Sequence, residues 1–86
     1  MFYTYIIFSK SLQVYYKGYS ADLTQRLEKH NSGNSTYTSK ANDWEMVYWK
    51  SFLTKKEALI EEKRLKKLNV NSLQKLISEF KKDEKV

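Results

Sequence analysis

Two runs rich in aromatic and β-branched residues, FYTYIIFS (Phe2 to Ser9) and VYYKGYS (Val14 to Ser20), are separated only by the polar KSLQ. Runs of that kind joined by so short a connector pair as a β-hairpin. Everything downstream has to pack on it. Two separate cores within 86 residues would each be too small to offset the conformational entropy of folding. The expectation is therefore one domain spanning residues 1–86, in which the charged ending KKDEKV (residues 81–86) frays.

After the hairpin, DLTQRLEKHN places Leu23 and Leu27 at helical spacing, with Asp22 as N-cap and Gln25 three residues on. The small polar residues of NSGNSTYTSKAND, residues 31–43, mark a loop. WEMVYWKSF then alternates, with Trp44, Met46, Tyr48 and Phe52 set against Glu45, Val47, Trp49 and Ser51, which predicts a third strand. In TKKEALIEEKRLKKL, Thr54 and Glu57 form a capping box ahead of a stripe of Ala58, Leu65 and Leu68, with Leu59 at its margin. A last helix, capped by Asn69 or Asn71, buries Leu73, Leu76, Ile77 and Phe80. The predicted class is α+β, a three-stranded antiparallel sheet flanked by helices in the order β-β-α-β-α-α.

The absence of cysteine removes disulfides, thiolate zinc sites and cysteine nucleophiles together, so no disulfide-linked partner is expected. A single histidine excludes a multi-histidine metal site, so a bound cation would be held by carboxylate oxygens and water, as magnesium prefers. The opening MFYTYIIF is short, lacks a basic flank and alternates like a strand, and no stretch approaches the roughly 20 apolar residues of a membrane span. A soluble, cytoplasmic protein with no membrane partner is the expectation. Sixteen Lys and Arg against ten Asp and Glu give a charge of +6. Together with the aromatics, that excess suits a polyanion, since cations release counterions from phosphates and rings stack on bases.

Four positions stand out by their placement. Arg26 and His30 are four apart, so they stack on one side of the first helix, beside the leucine stripe. Glu61 and Glu62 both fall inside the apolar sector of the long helix, where an unpaired carboxylate costs several kcal/mol. Each must reach a cation, a metal or the rim of the core. The helical wheel alone does not choose between them. On the second strand, Tyr16 shares a face with Gly18, whose missing side chain leaves room beside the ring for a backbone or a ligand.

Tyr5 near the start of the first strand, Tyr16 and Gly18 in YKG, Arg26 ten residues after Tyr16, His30 four residues later and a glutamate in EALIEE form an ordered set of spacings. That set resembles the GIY-YIG nuclease superfamily, and its small stand-alone bacterial branch in particular, over residues 2–77. The resemblance implies a metal-dependent DNA endonuclease whose catalytic residues are Tyr5, Tyr16, Arg26 and His30. By it, Tyr16 acts as general base or orients the attacking water, and Tyr5 helps to position nucleophile or phosphate. Arg26 would stabilise the pentacovalent phosphate, and His30 would assist proton transfer or contact phosphate. Glu62 rather than Glu61 would bind Mg2+ or Mn2+. Tyr37 in YTSK falls near a polar assisting position, and it, Lys17, which replaces the usual isoleucine, and Lys40 are the expected DNA contacts. Thr4 departs from the name motif, and Asn69 and Asn71 are candidates for a downstream asparagine.

A free tyrosine, with its pKa near 10, is a poor base at neutral pH. Lowering that value by about 3 units takes roughly 4 kcal/mol of preference for the phenolate. A neighbouring guanidinium and a bound cation are the groups able to supply it, and they also offset charge developing on the phosphoryl oxygens. The competing expectation is a nucleic-acid-binding module of the same fold with little or no turnover. The short chain leaves little room for a separate DNA-recognition element, which points to a protein partner for substrate targeting.

Overall fold

The computed structural model describes residues 1–33 and 37–84. Strands β1 (Phe2–Ser9) and β2 (Val14–Ser20) form the expected hairpin, and β3 (Trp44–Phe52) pairs antiparallel to the other side of β1. The sheet order is β2-β1-β3, so β1 is central. Helix α1 (Leu23–Asn31) follows the hairpin, and α2 (Lys55–Lys66) and α3 (Val70–Glu84) follow β3. This is the α+β architecture read from the sequence, in the same order. Among the described residues, no helix is long and apolar enough to cross a membrane.

The helix starts follow their capping residues. Asp22 accepts the Gln25 N–H at 3.0 Å, Thr54 accepts the Glu57 N–H at 3.2 Å, and Asn69 accepts the Ser72 N–H at 2.8 Å. Asn69 is thus the cap of α3, and Asn71 lies exposed in its first turn. The capping box is modified, because Glu57 meets the Thr54 hydroxyl at 2.9 Å. Helix α3 continues through Lys81 and Lys82 to Glu84, with those lysines suiting the negative end of its dipole, while residues 85–86 lie outside the described residues.

The third strand does not keep one alternation. A bulge beside Ile6 and Ile7 sets Tyr48 opposite Ile6 but Met46 opposite Ile7, inserting Val47 between them. Trp44 and Met46 therefore pack with Tyr5 and Ile7 on one face, whereas Val47 and Tyr48 pack with Ile6 on the other. The face holding Ile6 is covered by Leu65 of α2 and by Leu73 and Ile77 of α3, an apolar core. The opposite face is covered by Leu23 and Leu27 of α1.

Two side-chain clamps tie the connections to the sheet. Asn31 accepts the Trp44 N–H at 2.8 Å and donates to the Trp44 carbonyl at 3.0 Å, fixing the end of α1 to the start of β3. Asp43 accepts from the Ser9 hydroxyl at 2.7 Å and the Ser11 N–H at 2.8 Å, fixing the hairpin turn to the same place. Among the described residues of the segment 31–43, a 3-10 turn, Thr38–Lys40, brings Thr38 into the interior with no exposed surface.

Candidate active site

Register places Gly18, Tyr5 and Trp49 in one row across the three strands. The space above Gly18 is filled. A Cβ at that position would lie 2.5 Å from the Tyr5 hydroxyl and 2.7 Å from Cζ, so glycine is what lets the Tyr5 phenol lean toward β2. The room expected beside Tyr16 is thus occupied by another ring of the site, not by a backbone or a ligand.

The Tyr5 oxygen is a junction. It lies 2.7 Å from His30 Nε2, and Arg26 Nε donates to it at 3.4 Å. His30 Nδ1 in turn lies 2.7 Å from the Thr38 hydroxyl, whose carbonyl accepts the Trp44 indole N–H at 2.9 Å. Tyr5, His30 and Thr38 are each 0 % exposed. Burial pushes the Tyr5 phenol up to about 12 and pushes His30 down to about 4, the Arg26 charge adding to the second effect. Both groups are therefore neutral at pH 7. The chain of hydrogen bonds can run from Tyr5 through the imidazole to Thr38 or in reverse, leaving the terminal hydroxyl proton at one end or the other.

Several expectations shift here. His30 sits inside the buried face of α1 rather than beside it, with both ring nitrogens engaged by Tyr5 and Thr38. Tyr5 is equally enclosed, and its pKa moves away from that of a base. Thr38 was missed altogether. Its only signal was membership of the YT pair, where the ring of Tyr37 drew the attention.

The outer layer is wetter. Tyr16 is half-buried, its ring edge-on to His30 at 5.1 Å and tilted against Tyr37 at 5.5 Å. Arg26 is half-buried, and hydrogen bonds to Tyr5 and Tyr16 hold its guanidinium more firmly charged than usual. Lys17 faces the side of the sheet that carries Ile6, away from Tyr16, and Lys40 lines a different surface with Asn31 and Gly33. Lys40 and Lys17 are therefore predicted residues that the fold does not bring into the cluster around Tyr5.

The two adjacent glutamates separate cleanly. Thr4 donates to the Ala58 carbonyl at 2.6 Å, tying α2 to β1 beside the two glutamates. Glu61, 9 % exposed, is gripped by Arg64 through two bonds of 2.6 and 2.9 Å, which hold its carboxyl below the usual range. It lies against Tyr48, on the apolar side. The Glu62 charge is instead felt at Tyr5, where it contributes to raising the phenol's pKa, and its nearest cation is Lys66 Nζ at 3.6 Å.

Residues 1–76 match the family described as the GIY-YIG catalytic domain. The chain belongs to the GIY-YIG nuclease family. Its relatives include UPF0213 protein SSP2268 of Staphylococcus saprophyticus, 38% identical over 78 residues, which are 90% of this chain and 94% of that one. UPF0213 protein OB0043 of Oceanobacillus iheyensis is 39% identical over 67 residues, 77% of each chain. The solution NMR structure of UPF0213 protein BH0048 from Bacillus halodurans shares the fold with a TM-score of 0.57 and 32% identity, covering 91% of this chain and 84% of that one.

The residues present can be tested against the metal that the family implies. Among the described residues, no group of three or more His, Asp or Glu could enclose an ion. Glu62 is a lone carboxylate whose partner Lys66 is more than half exposed and free to swing away. One carboxylate, with waters and substrate phosphate oxygens completing the shell, fits Mg2+ or Mn2+ and suits calcium or zinc poorly.

Proposed function

We propose that this domain is a divalent-metal-dependent endonuclease that hydrolyses phosphodiester bonds in DNA. The observation that carries the reading is the gathering at one phenol oxygen: His30 lies 2.7 Å from the Tyr5 hydroxyl, Arg26 donates to it at 3.4 Å, and the Tyr16 ring stands edge-on to His30 at 5.1 Å. Arg26 keeps N–H groups beyond the one given to Tyr5, and its role is to meet the phosphoryl oxygens as negative charge develops there. Tyr16, the ring of the pair that reaches solvent, orients or deprotonates the attacking water. Tyr5 stays a neutral phenol and positions Arg26, with His30 and Thr38 locking its angle. Glu62 would hold the metal, which supplies charge neutralisation at the phosphate.

The test is plasmid or branched DNA incubated with the purified protein and Mg2+. Nicking is expected, and Tyr16→Phe, Arg26→Ala and Glu62→Gln are each expected to reduce it by about a hundredfold or more. Inertness of the wild type across DNA structures and metals would overturn the assignment. The second reading, a binding module with little turnover, draws on the Glu62–Lys66 contact, which competes with a metal. It predicts salt-sensitive DNA binding that survives chelation and ignores Glu62→Gln.

A further inference from the structure

A groove of about 550 Å³ runs along the outer side of β2, between the hairpin and the turn from α2 into α3. That volume falls within the range of about 300–1,000 Å³ typical of small-ligand sites. Phe8, Val14 and Leu68 give it an apolar lining, and no acidic residue borders it. Its cation is Lys17, and its aromatic wall includes Tyr37, which is 56 % exposed while resting against Tyr16. The groove therefore begins one residue along β2 from Tyr16 and is joined to it by a ring contact.

The polar groups narrow the occupant. The Gln13 amide donates to the Lys10 carbonyl at 2.7 Å, and the Asn69 side-chain oxygen is taken by the Ser72 N–H at 2.8 Å. Gln74, exposed on α3 and lining the same groove, keeps both its donor and its acceptor. A flat ligand with an apolar face, a donor–acceptor edge and an attached anion matches this set. A nucleobase on its phosphate has all three. A carboxamide can pair bidentately with the N6 amino group and N7 of adenine, an exposed tyrosine ring offers a stacking face, and the chain's charge of +6 draws in the polyanion.

We propose that this groove receives the nucleobase next to the bond to be cut, stacked on Tyr37, with its edge met by Gln74 and its phosphate by Lys17. The position of the cut bond rests on the nuclease reading above; the base site does not depend on turnover. A base seated there has left its duplex stack, so the substrate is single-stranded or locally distorted at that nucleotide.

Binding and cleavage test the two readings separately. Trinucleotides that differ only in the central base are titrated, without metal, into Glu62→Gln protein, following the side-chain amide of Gln74 and the ring of Tyr37 by NMR. Base-dependent shifts at both, strongest with central adenine, are expected. Tyr37→Ala should weaken binding by about tenfold and Tyr37→Phe should restore it. With Mg2+, cut sites of the wild type on a randomised oligonucleotide should show one biased position beside the cut, and Gln74→Ala should flatten that bias by on the order of tenfold. Shifts confined to lysines and equal for every base would overturn the base site even if cleavage occurs. Base-dependent shifts in a protein that never cleaves would leave the base site standing and remove the nuclease reading.

Discussion

Both faces of the three-stranded sheet bury apolar side chains, but only one of them also encloses a chain of hydrogen-bonded polar groups around an aromatic ring. Behind Ile6 lie Tyr48, Leu65, Leu73 and Ile77, side chains held by packing alone or nearly so. Behind Tyr5 lie His30 and Thr38, equally enclosed and held by hydrogen bonds of 2.7 Å. The first face can exchange one aliphatic for another of similar volume at modest cost. The second cannot, because removing one partner strands the next. In this small domain the larger apolar core and the buried hydrogen-bonded cluster lie on different sides of the same central strand, one residue out of phase.

The largest effect expected from this division is on the apolar side. Ile6→Ala should lose about 2–5 kcal/mol, enough to lower the melting temperature sharply or unfold so small a domain. The activity of the fraction that stays folded should be little changed. Gly18→Ala should do the reverse. The new methyl would stand within 2.5 Å of the Tyr5 hydroxyl, and the ring cannot swing out without leaving His30 and Arg26. Nicking should fall by more than tenfold, with stability down by about 1–3 kcal/mol for the disrupted bonds. If Gly18→Ala and Ile6→Ala showed the same ratio of lost activity to lost stability, the division between the faces would not exist.

Acid should sharpen the contrast. The His30 imidazole titrates near 6.5 when unfolded and near 4 when buried, so between those values the unfolded chain binds the extra proton. Its contribution is complete above pH 6.5 and is lost as pH falls toward 4, by up to about 1.4 kcal/mol per pH unit. Glu61 and Asp43, whose carboxyls are held low, lose theirs only further down, below the ordinary carboxylate range. Urea unfolding of the wild type should therefore weaken between pH 6.5 and 5, and His30→Gln, though less stable at pH 7, should be flat across that window. A wild-type curve that is flat there would show that His30 is not held neutral.

The legible parts of this architecture are those set by local chemistry. The hairpin runs, the caps at Asp22 and Thr54 and the spacing of Arg26 and His30 act within a few residues and stand in the sequence as they stand in the fold. What was not legible depends on the meeting of distant segments. The bulge at Val47 arises from the pairing of β1 with β3, and no window of WEMVYWKSF records it. The burial of His30 depends on Tyr5 and Thr38 arriving from either side. The partner of Glu61, Arg64, stands three residues away, but a wheel that places both glutamates in the apolar sector cannot say which one the sheet turns toward the phenol. That choice depends on how α2 seats on the sheet, through contacts such as the Thr4 bond to Ala58, which spans 54 residues.

The smallest expected effect is also the most discriminating, because it compares neighbours on one turn of helix. Glu62 has only a half-exposed lysine at 3.6 Å, so Glu62→Gln should change stability by less than about 1 kcal/mol. Glu61→Gln leaves Arg64 without its carboxylate but, with that guanidinium half in solvent, should also cost about 1 kcal/mol or less. Stability alone would barely tell the two apart. The tyrosines will. The negative charge of Glu62 raises the Tyr5 phenol, whereas that of Glu61 raises Tyr48. In protein carrying ring-labelled tyrosine, Glu62→Gln should lower the Tyr5 titration and leave Tyr48 in place, and Glu61→Gln should lower Tyr48 and leave Tyr5. A Tyr5 titration indifferent to Glu62 would mean that the acid does not face the ring, and the metal would then have no carboxylate at the site to hold it.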